Sequence, residues 1–199
     1  MKEHFDKYLN VKKLLLENPP KHILELGALH GENTIALLSL CAEIPDLRVT
    51  VITDGLPDDP KPTDPALRFI WGVSWVEMQK IPDRVIGCVI IDTDHNYYTM
   101  MKELSEVDRI LTDPGWVMFH DTLTYDTASG HDVRFRCGYP YPLEAIEHFE
   151  RMGLGMGDAI RDFMTHHRIY REVARSDENH GALAIRRMGD RQKDPERIA

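Results

Sequence analysis

Two short stretches concentrate residues that can move protons or hold a metal. Asp92, Asp94 and His95 fall within four positions of one another in Ile90-Ile91-Asp92-Thr93-Asp94-His95-Asn96-Tyr97-Tyr98, at the end of an apolar run. His120-Asp121 closes a second run, Trp116-Val117-Met118-Phe119. Carboxylates are hard oxygen donors of the kind Mg²⁺ takes. A histidine, with an unperturbed pKa near ~6.5, can bind a metal or act as a general base. Each stretch taken singly reads better as something plainer. Asp-x-Asp-His can be a turn that caps a helix, and His120-Asp121 can be the polar start of a loop. Taken together at two strand ends, they favour a site. Asp94 is assigned to the cap, because an acid just before a helix suits the helix dipole.

For the two stretches to meet, the chain must lay their strands side by side. The pattern of elements provides for this. Residues 4–17 carry a loose helical spacing that ends at Asn18-Pro19-Pro20. "HILELG" is a first strand, and "GENTIALLSLCAEI" after it has helical spacing. "RVTVITD" is a second strand, and "GLPDDPKPTDPA" is a loop rich in Pro, Asp and Gly. "LRFIWG" is a third strand, followed by a short helix "SWVEMQKI" with Ser74 as its expected cap. "VIGCVIID" is a fourth. "YYTMMKELSEVDRILT" predicts an amphipathic helix with Met101, Leu104, Val107 and Leu111 on one stripe, broken by Asp113-Pro114-Gly115 before the fifth strand "WVMFHD".

Strands that are apolar without alternation are covered on both faces. Alternating them with helices predicts an α/β fold, a Rossmann-like, doubly wound, mostly parallel sheet. Further on, "PLEAIEHFERMG" predicts a helix. "HRIYREVA" and "HGALAIRRM" predict a C-terminal antiparallel hairpin, which brings the sheet to seven strands. Residues 1–189 read as one domain, residues 122–141 as a lid-like segment, and the charged residues 190–199 as a frayed tail.

Ligands of such folds bind beyond the carboxyl ends of the strands. The first turn, "ELGALHGENT", holds Gly27 and Gly31. Gly27 would let the backbone turn sharply, Gly31 would let it pass close to a ligand, and Thr34 with the amides at the helix start can bind polar groups. A tight turn with no ligand explains the glycines equally well. The dinucleotide pattern G-x-G-x-x-G is absent, which argues against nicotinamide or flavin. Asp54 ends the second strand, where an acid can accept from a ribose hydroxyl or cap a loop. Gly72 and Ser74 end the third. Three strand ends of this kind favour a cofactor site.

The chain has 199 residues and a net charge of −9, with 42% hydrophobic residues. This is a globular composition. The acidic balance argues against a nucleic-acid partner, and no apolar run approaches the roughly 20 residues that span a bilayer. The N-terminus has no apolar signal core. Cys41, Cys88 and Cys137 lack zinc spacing, Cys41 and Cys88 sit in apolar surroundings, and a cytoplasmic setting is expected.

On these residues the sequence resembles the class I S-adenosylmethionine-dependent methyltransferases. "ILELGALHGENTIALL" looks like their first motif, "VITD" like their second, and "FIWGVS" like the stretch after strand three, with Val73 where the family often has an acid. "VIIDTDHNYYTMMKEL" with "DPGWVMFHDT" is similar to a small-molecule O-methyltransferase group that includes macrolide-sugar O-methyltransferases and cephalosporin-hydroxylase-like proteins. The resemblance runs over residues 20–185. It implies S-adenosylmethionine contacts at Glu25, Gly27, Ala28, Gly31, Thr34, Asp54, Gly72, Ser74 and Asp92. It implies a divalent metal, Mg²⁺ first and Mn²⁺ as the alternative, on Asp92, His120 and Asp121, and a catalytic base at His95. The implied reaction is methyl transfer to a hydroxyl of a small molecule such as a sugar or a natural-product intermediate. A metal-independent methyltransferase and a cofactor-binding member without activity stand beside it. A homo-oligomer is left open. His131, Tyr125, Tyr139 and Tyr141 fall in the lid-like segment. His30 and the His166-His167 pair read as solvated.

Overall fold

The computed structural model describes residues 10–28, 31–54, 63–127, 139–140, 142–178 and 180–189. The strands are β1 (His22–Leu26), β2 (Arg48–Thr53), β3 (Leu67–Trp71), β4 (Ile86–Ile91), β5 (Leu111–His120), β6 (Tyr170–Ser176) and β7 (Ala182–Arg187). The helices are α1 (Val11–Glu17), α2 (Glu32–Leu40), α3 (Ser74–Met78), α4 (Tyr97–Ile110), α5 (Leu143–Arg151) and α6 (Met156–His166). One sheet runs in the order β3-β2-β1-β4-β5-β7-β6. The first five strands are parallel, and β7 enters antiparallel between β5 and β6.

The sheet is apolar on both faces because helices cover both. On one face Leu24, Leu26, Val89, Ile91, Val117 and Phe119 pack against Met78 of α3, Leu104 and Val107 of α4, and Ile160 and Phe163 of α6. On the other, Ile23, Val49, Val51, Cys88, Ile90 and Met118 pack against Val11 and Leu15 of α1 and Leu37 and Leu40 of α2. Each such large apolar side chain, fully buried, contributes roughly 1.5–3 kcal/mol.

Several expectations need correction. Ser74 is the first residue of α3 and does not cap it; the N-cap is Val73. Asn96, not Asp94, caps α4, its side-chain oxygen accepting from the Thr99 amide at 2.9 Å. The buried stripe of α4 is Met100, Glu103, Leu104, Val107 and Ile110; Met101 is only half-buried, and Leu111 already belongs to β5. Asp113-Pro114-Gly115 does not separate α4 from β5 but lies inside the strand. Pro114 has no amide to give the ladder, so the pairing with β4 jumps from Ile86↔Leu111 to Cys88↔Trp116, and the added residues bulge out.

Helix α6 is an element the sequence reading did not name. Its apolar residues Met156, Ala159, Ile160 and Phe163 are spaced for a helix face. The Met152–Gly155 stretch between it and α5, with two glycines, hid its start. Of the expected N-terminal helix, α1 is present and residues 4–9 lie outside the described residues, as do 128–138 and 141 of the lid-like segment and 190–199 of the tail.

Candidate active site

Strand register builds the site. Leu26 pairs with both Ile52 and Ile91, Ile52 pairs with Ile70, and Ile91 pairs with Phe119. The residues that follow these pairs come out level on one rim: Gly27, Thr53, Asp92 and His120. The first strand end sits between the second and fourth, where the sheet order reverses direction, the usual place for a ligand crevice in this architecture.

Asp92 and His120 therefore stand side by side. Asp121, the next residue, has φ 59°. This left-handed conformation is uncommon outside glycine, though aspartate tolerates it. It turns the chain sharply, and the Asp121 carboxylate stays at the rim. His95 joins from the turn before α4. Its Nε2 lies 3.3 Å from Asp121 Oδ2 and 3.6 Å from Asp92 Oδ1. His120 Nδ1 lies 2.8 Å from Asp121 Oδ1 and 3.7 Å from Asp92 Oδ1. Ligand atoms of Asp92, His95 and Asp121 all fall within 4.8 Å of one another. Two carboxylates and two imidazoles thus converge from two adjacent strand ends.

The electrostatics follow from that crowding. Burial disfavours a charged His120, but hydrogen bonding and the nearby negative charge of Asp121 and Asp92 outweigh it, and its pKa is raised. Burial likewise opposes an ionised Asp121, and the two neighbouring histidines, with His180, outweigh it and lower its pKa. His95 Nε2 is buried yet makes no hydrogen bond among the described residues, although both carboxylates are near.

The glycine turn lies beside this cluster. Gly27 has φ 80°, and a Cβ placed there would sit 2.0 Å from the carbonyl oxygen of Asp92. Any side chain at this position would collide with the backbone of the Asp92–Thr93 turn. Gly31, φ 75°, has no atom of the described residues within 4 Å of the Cβ position, so it faces open space among them. Glu25 is fully buried beneath the turn. Its Oε2 accepts from Thr34 Oγ1 at 2.6 Å, and Oε1 has no hydrogen-bond partner among the described residues. Burial first, and then the charge of Asp92, push Glu25 up to about 8 against the opposing hydrogen bond from Thr34. Asn33 Nδ2 donates to Asp92 Oδ2 at 3.3 Å, so the first turn of α2 is tied to the end of β4. The Thr34 hydroxyl is committed to Glu25. Ala28 is buried, and Asp54 is half-buried at the end of β2.

A buried polar group missed in the sequence connects the third strand end to the fourth. Glu103 of α4 is fully enclosed; Ser74 Oγ donates to its Oε1, and Thr93 Oγ1 donates to its Oε2 at 2.9 Å. The Ser74 hydroxyl is therefore engaged inside the protein. A glutamate on the apolar stripe of an amphipathic helix was the available signal. Asp94, also buried, accepts from Asn96 Nδ2 at 2.5 Å and from Thr99 Oγ1 at 3.2 Å, so it orients the residue that caps α4.

Other histidines are placed away from the cluster. His166 is exposed and contacts the Asp162 carbonyl. His167 is half-buried, stacks on Phe163 and lies 3.7 Å from Asp108, so it is not simply solvated. His30 and His131 lie outside the described residues, as does Tyr141. Tyr125 stacks on His95, and the exposed Tyr139 meets the edge of Trp75. Cys88 is buried, and burial pushes its thiol pKa up; Cys41 is half-buried with its Sγ 3.9 Å from the Leu47 carbonyl.

The fold and the family match together identify a class I, S-adenosylmethionine-dependent methyltransferase. The chain belongs to the rhamnosyl O-methyltransferase/CmcI family, whose model matches residues 4–170. No curated protein matches it in sequence. Solved structures share the fold at low identity. The S-adenosylhomocysteine-bound methyltransferase PaMTH1 from Podospora anserina is 12% identical with a TM-score of 0.56, over 87% of this chain and 74% of that one. A methyltransferase from Geobacter sulfurreducens is 10% identical with a TM-score of 0.53, over 90% and 77%. An S-adenosylmethionine-dependent methyltransferase from Aquifex aeolicus is 10% identical with a TM-score of 0.50, over 91% and 90%. Among the described residues no helix is long and apolar enough to cross a membrane.

Proposed function

We propose that the protein transfers a methyl group to a hydroxyl of a small molecule, with a divalent cation assisting. The observation that carries this reading is the convergence of Asp92, His95, His120 and Asp121 beside the Gly27 turn. The turn fits the methyl donor. Gly27 admits no Cβ, Gly31 opens onto space, and Glu25 Oε1 offers a polar atom without a partner among the described residues beneath them. S-adenosylmethionine, when bound, supplies an electrophilic methyl group. Gly27, Ala28 and Gly31 would line its amino-acid end, Asp54 the ribose, and Gly72 with the backbone of Ser74 the adenine side.

A cation would be held by Asp92 and Asp121, with His120 as a nitrogen donor. Two carboxylates suit Mg²⁺, and an imidazole beside them admits Mn²⁺. Its chemistry would be to lower the pKa of an acceptor hydroxyl. His95 Nε2, without a hydrogen-bond partner among the described residues, would receive that hydroxyl's proton. The Asp92 and Asp121 carboxylates would then stabilise the imidazolium. The family's name directs the first acceptors to try to rhamnosyl hydroxyls, and a cytoplasmic setting fits Cys41 and Cys88, the free cysteines among the described residues.

A second reading drops the metal, because His95 against Asp121 is by itself a base–carboxylate pair. One experiment tests both. Label transfer from S-adenosylmethionine to a panel of rhamnosides and other hydroxylated small molecules is followed with added Mg²⁺ or Mn²⁺ and with a chelator. Turnover that vanishes under chelation and returns with the metal supports the metal-assisted reading. Turnover unaffected by chelation selects the second. Absence of calorimetric binding at millimolar S-adenosylmethionine refutes both.

A further inference from the structure

We infer that Tyr125 is a positioning residue that fixes the plane of the His95 ring, and that the N-terminus of α6 holds Tyr125 in place. The inference rests on the proposed role of His95 as the base. The two rings stack with centroids 4.4 Å apart and planes 8° from parallel.

The backbone on either side of His95 is already anchored. Thr93 is bonded to buried Glu103, and Asp94 with Asn96 and Thr99 forms the start of α4. Those anchors place the His95 Cα but leave its side-chain torsions free. Among the described residues Nε2 makes no hydrogen bond that would fix them. A flat aromatic face against the imidazole removes that freedom, so that Nε2 stays between Asp92 and Asp121.

Tyr125 is itself clamped. Its amide donates to the Asp121 carbonyl at 3.2 Å, which closes the turn after β5. Its carbonyl accepts from the Gly157 amide at 3.3 Å, in the first turn of α6. The Asp158 carboxylate reaches back to the Gly155 amide at 3.0 Å, but glycine has no side chain to complete that cap, and the Tyr125 carbonyl serves a neighbouring amide instead. Arg161 donates to Asp126 at 2.5 Å and to Asp158 at 2.7 Å, pinning the segment to the helix. A Cβ on Gly155 would strike the Thr127 backbone, and one on Gly157 would strike Asp126. The glycines that hid α6 in the sequence are thus what lets this segment lie against it. The base is set by an element far from it in sequence.

The test uses the full chain with S-adenosylmethionine added. Two-dimensional NMR of the imidazole protons, with His95 assigned by H95Q, reads the ring current of Tyr125 directly. Y125F keeps the stack and should leave the His95 resonances in place. Y125L should move them toward the positions of an unstacked histidine. G157A, which moves the segment while retaining the ring, should shift them as well, and it serves if Y125L melts too low. Calorimetric affinity for S-adenosylmethionine should be unchanged in Y125F and Y125L. With an accepted substrate, Y125L should lower kcat about tenfold, as expected for loss of one stacked pair, and Y125F should restore it. His95 resonances that do not move in Y125L or G157A overturn the inference. Full turnover in H95Q would overturn the base role whatever the spectra show, so the two failures are distinguishable.

Discussion

Glu103→Gln isolates the energetic effect of one buried carboxyl. Glu103 is 0% exposed and accepts from Ser74 and Thr93. Burial pushes its pKa to about 8, with Asp94 adding to the rise and the two hydroxyl bonds opposing it. In the unfolded chain the same group titrates near 4.5. Between those two values the folded protein holds a proton that the unfolded chain has lost. Stability from this group is therefore fully present below 4.5, declines as pH rises, and is lost above about 8. At roughly 1.4 kcal/mol per pH unit, the whole window corresponds to ~5 kcal/mol. Glutamine keeps an acceptor oxygen and cannot ionise. E103Q should therefore lose this contribution to the pH slope and gain on the wild type as the solution becomes alkaline. The assay is the urea midpoint and m value at constant ionic strength, taken between about pH 5 and pH 9. Glu25, raised to about 8 by the same cause, gives the wild type a second slope of equal sign, so a partial loss is expected in E103Q and a larger one with E25Q added. Parallel stability curves for wild type and E103Q would refute the reasoning.

Gly27→Ala combines a left-handed backbone with a Cβ 2.0 Å from the Asp92 carbonyl. It should lower the unfolding free energy by more than the ~1–2 kcal/mol of the conformation alone, seen as a fall in Tm, and abolish S-adenosylmethionine binding by calorimetry. D92N and D121N should each remove the response to added Mg²⁺ or Mn²⁺, read as the metal-induced change in Tm; a response retained in both would place the cation elsewhere. H95Q should bind S-adenosylmethionine with wild-type affinity and lose methyl transfer by about 10²–10⁴-fold, the usual worth of general base catalysis. Leu104→Ala, at a fully buried position of α4, should cost about 2–5 kcal/mol in urea unfolding, and a cost under the lower bound would mean the α4 face packs more loosely than described.

Much of this molecule was legible in the order of its residues. Apolar runs without alternation require a sheet covered on both faces, and their alternation with helical patterns requires parallel strands. Among the described residues, that reasoning located β1 to β7 and five of the six helices. It also put Gly27, Asp54, Asp92 and His120-Asp121 at strand ends, because an abrupt change from apolar to polar residues marks where a strand leaves the core. Local chemistry failed where two partners competed for one role. Asp94 and Asn96 both suit a helix cap, and only the three-dimensional path of the turn assigns the cap to Asn96 and turns Asp94 toward it. Ser74 suits a cap or a ligand contact, yet a buried glutamate from another helix takes its hydroxyl.

What the tertiary structure alone decided is distance between residues far apart in sequence. Register across β4 and β5, together with the left-handed turn at Asp121, determines that His95 as well as His120 stands between the two carboxylates. The stack of Tyr125 on His95 depends on α6, whose glycine-bearing start weakens the local helix signal while allowing the close approach that holds the segment. Periodicity reports which face of an element is buried. It carries no information on which atoms meet across that burial, because those contacts depend on register, crossing and turn geometry that arise only when the whole chain packs.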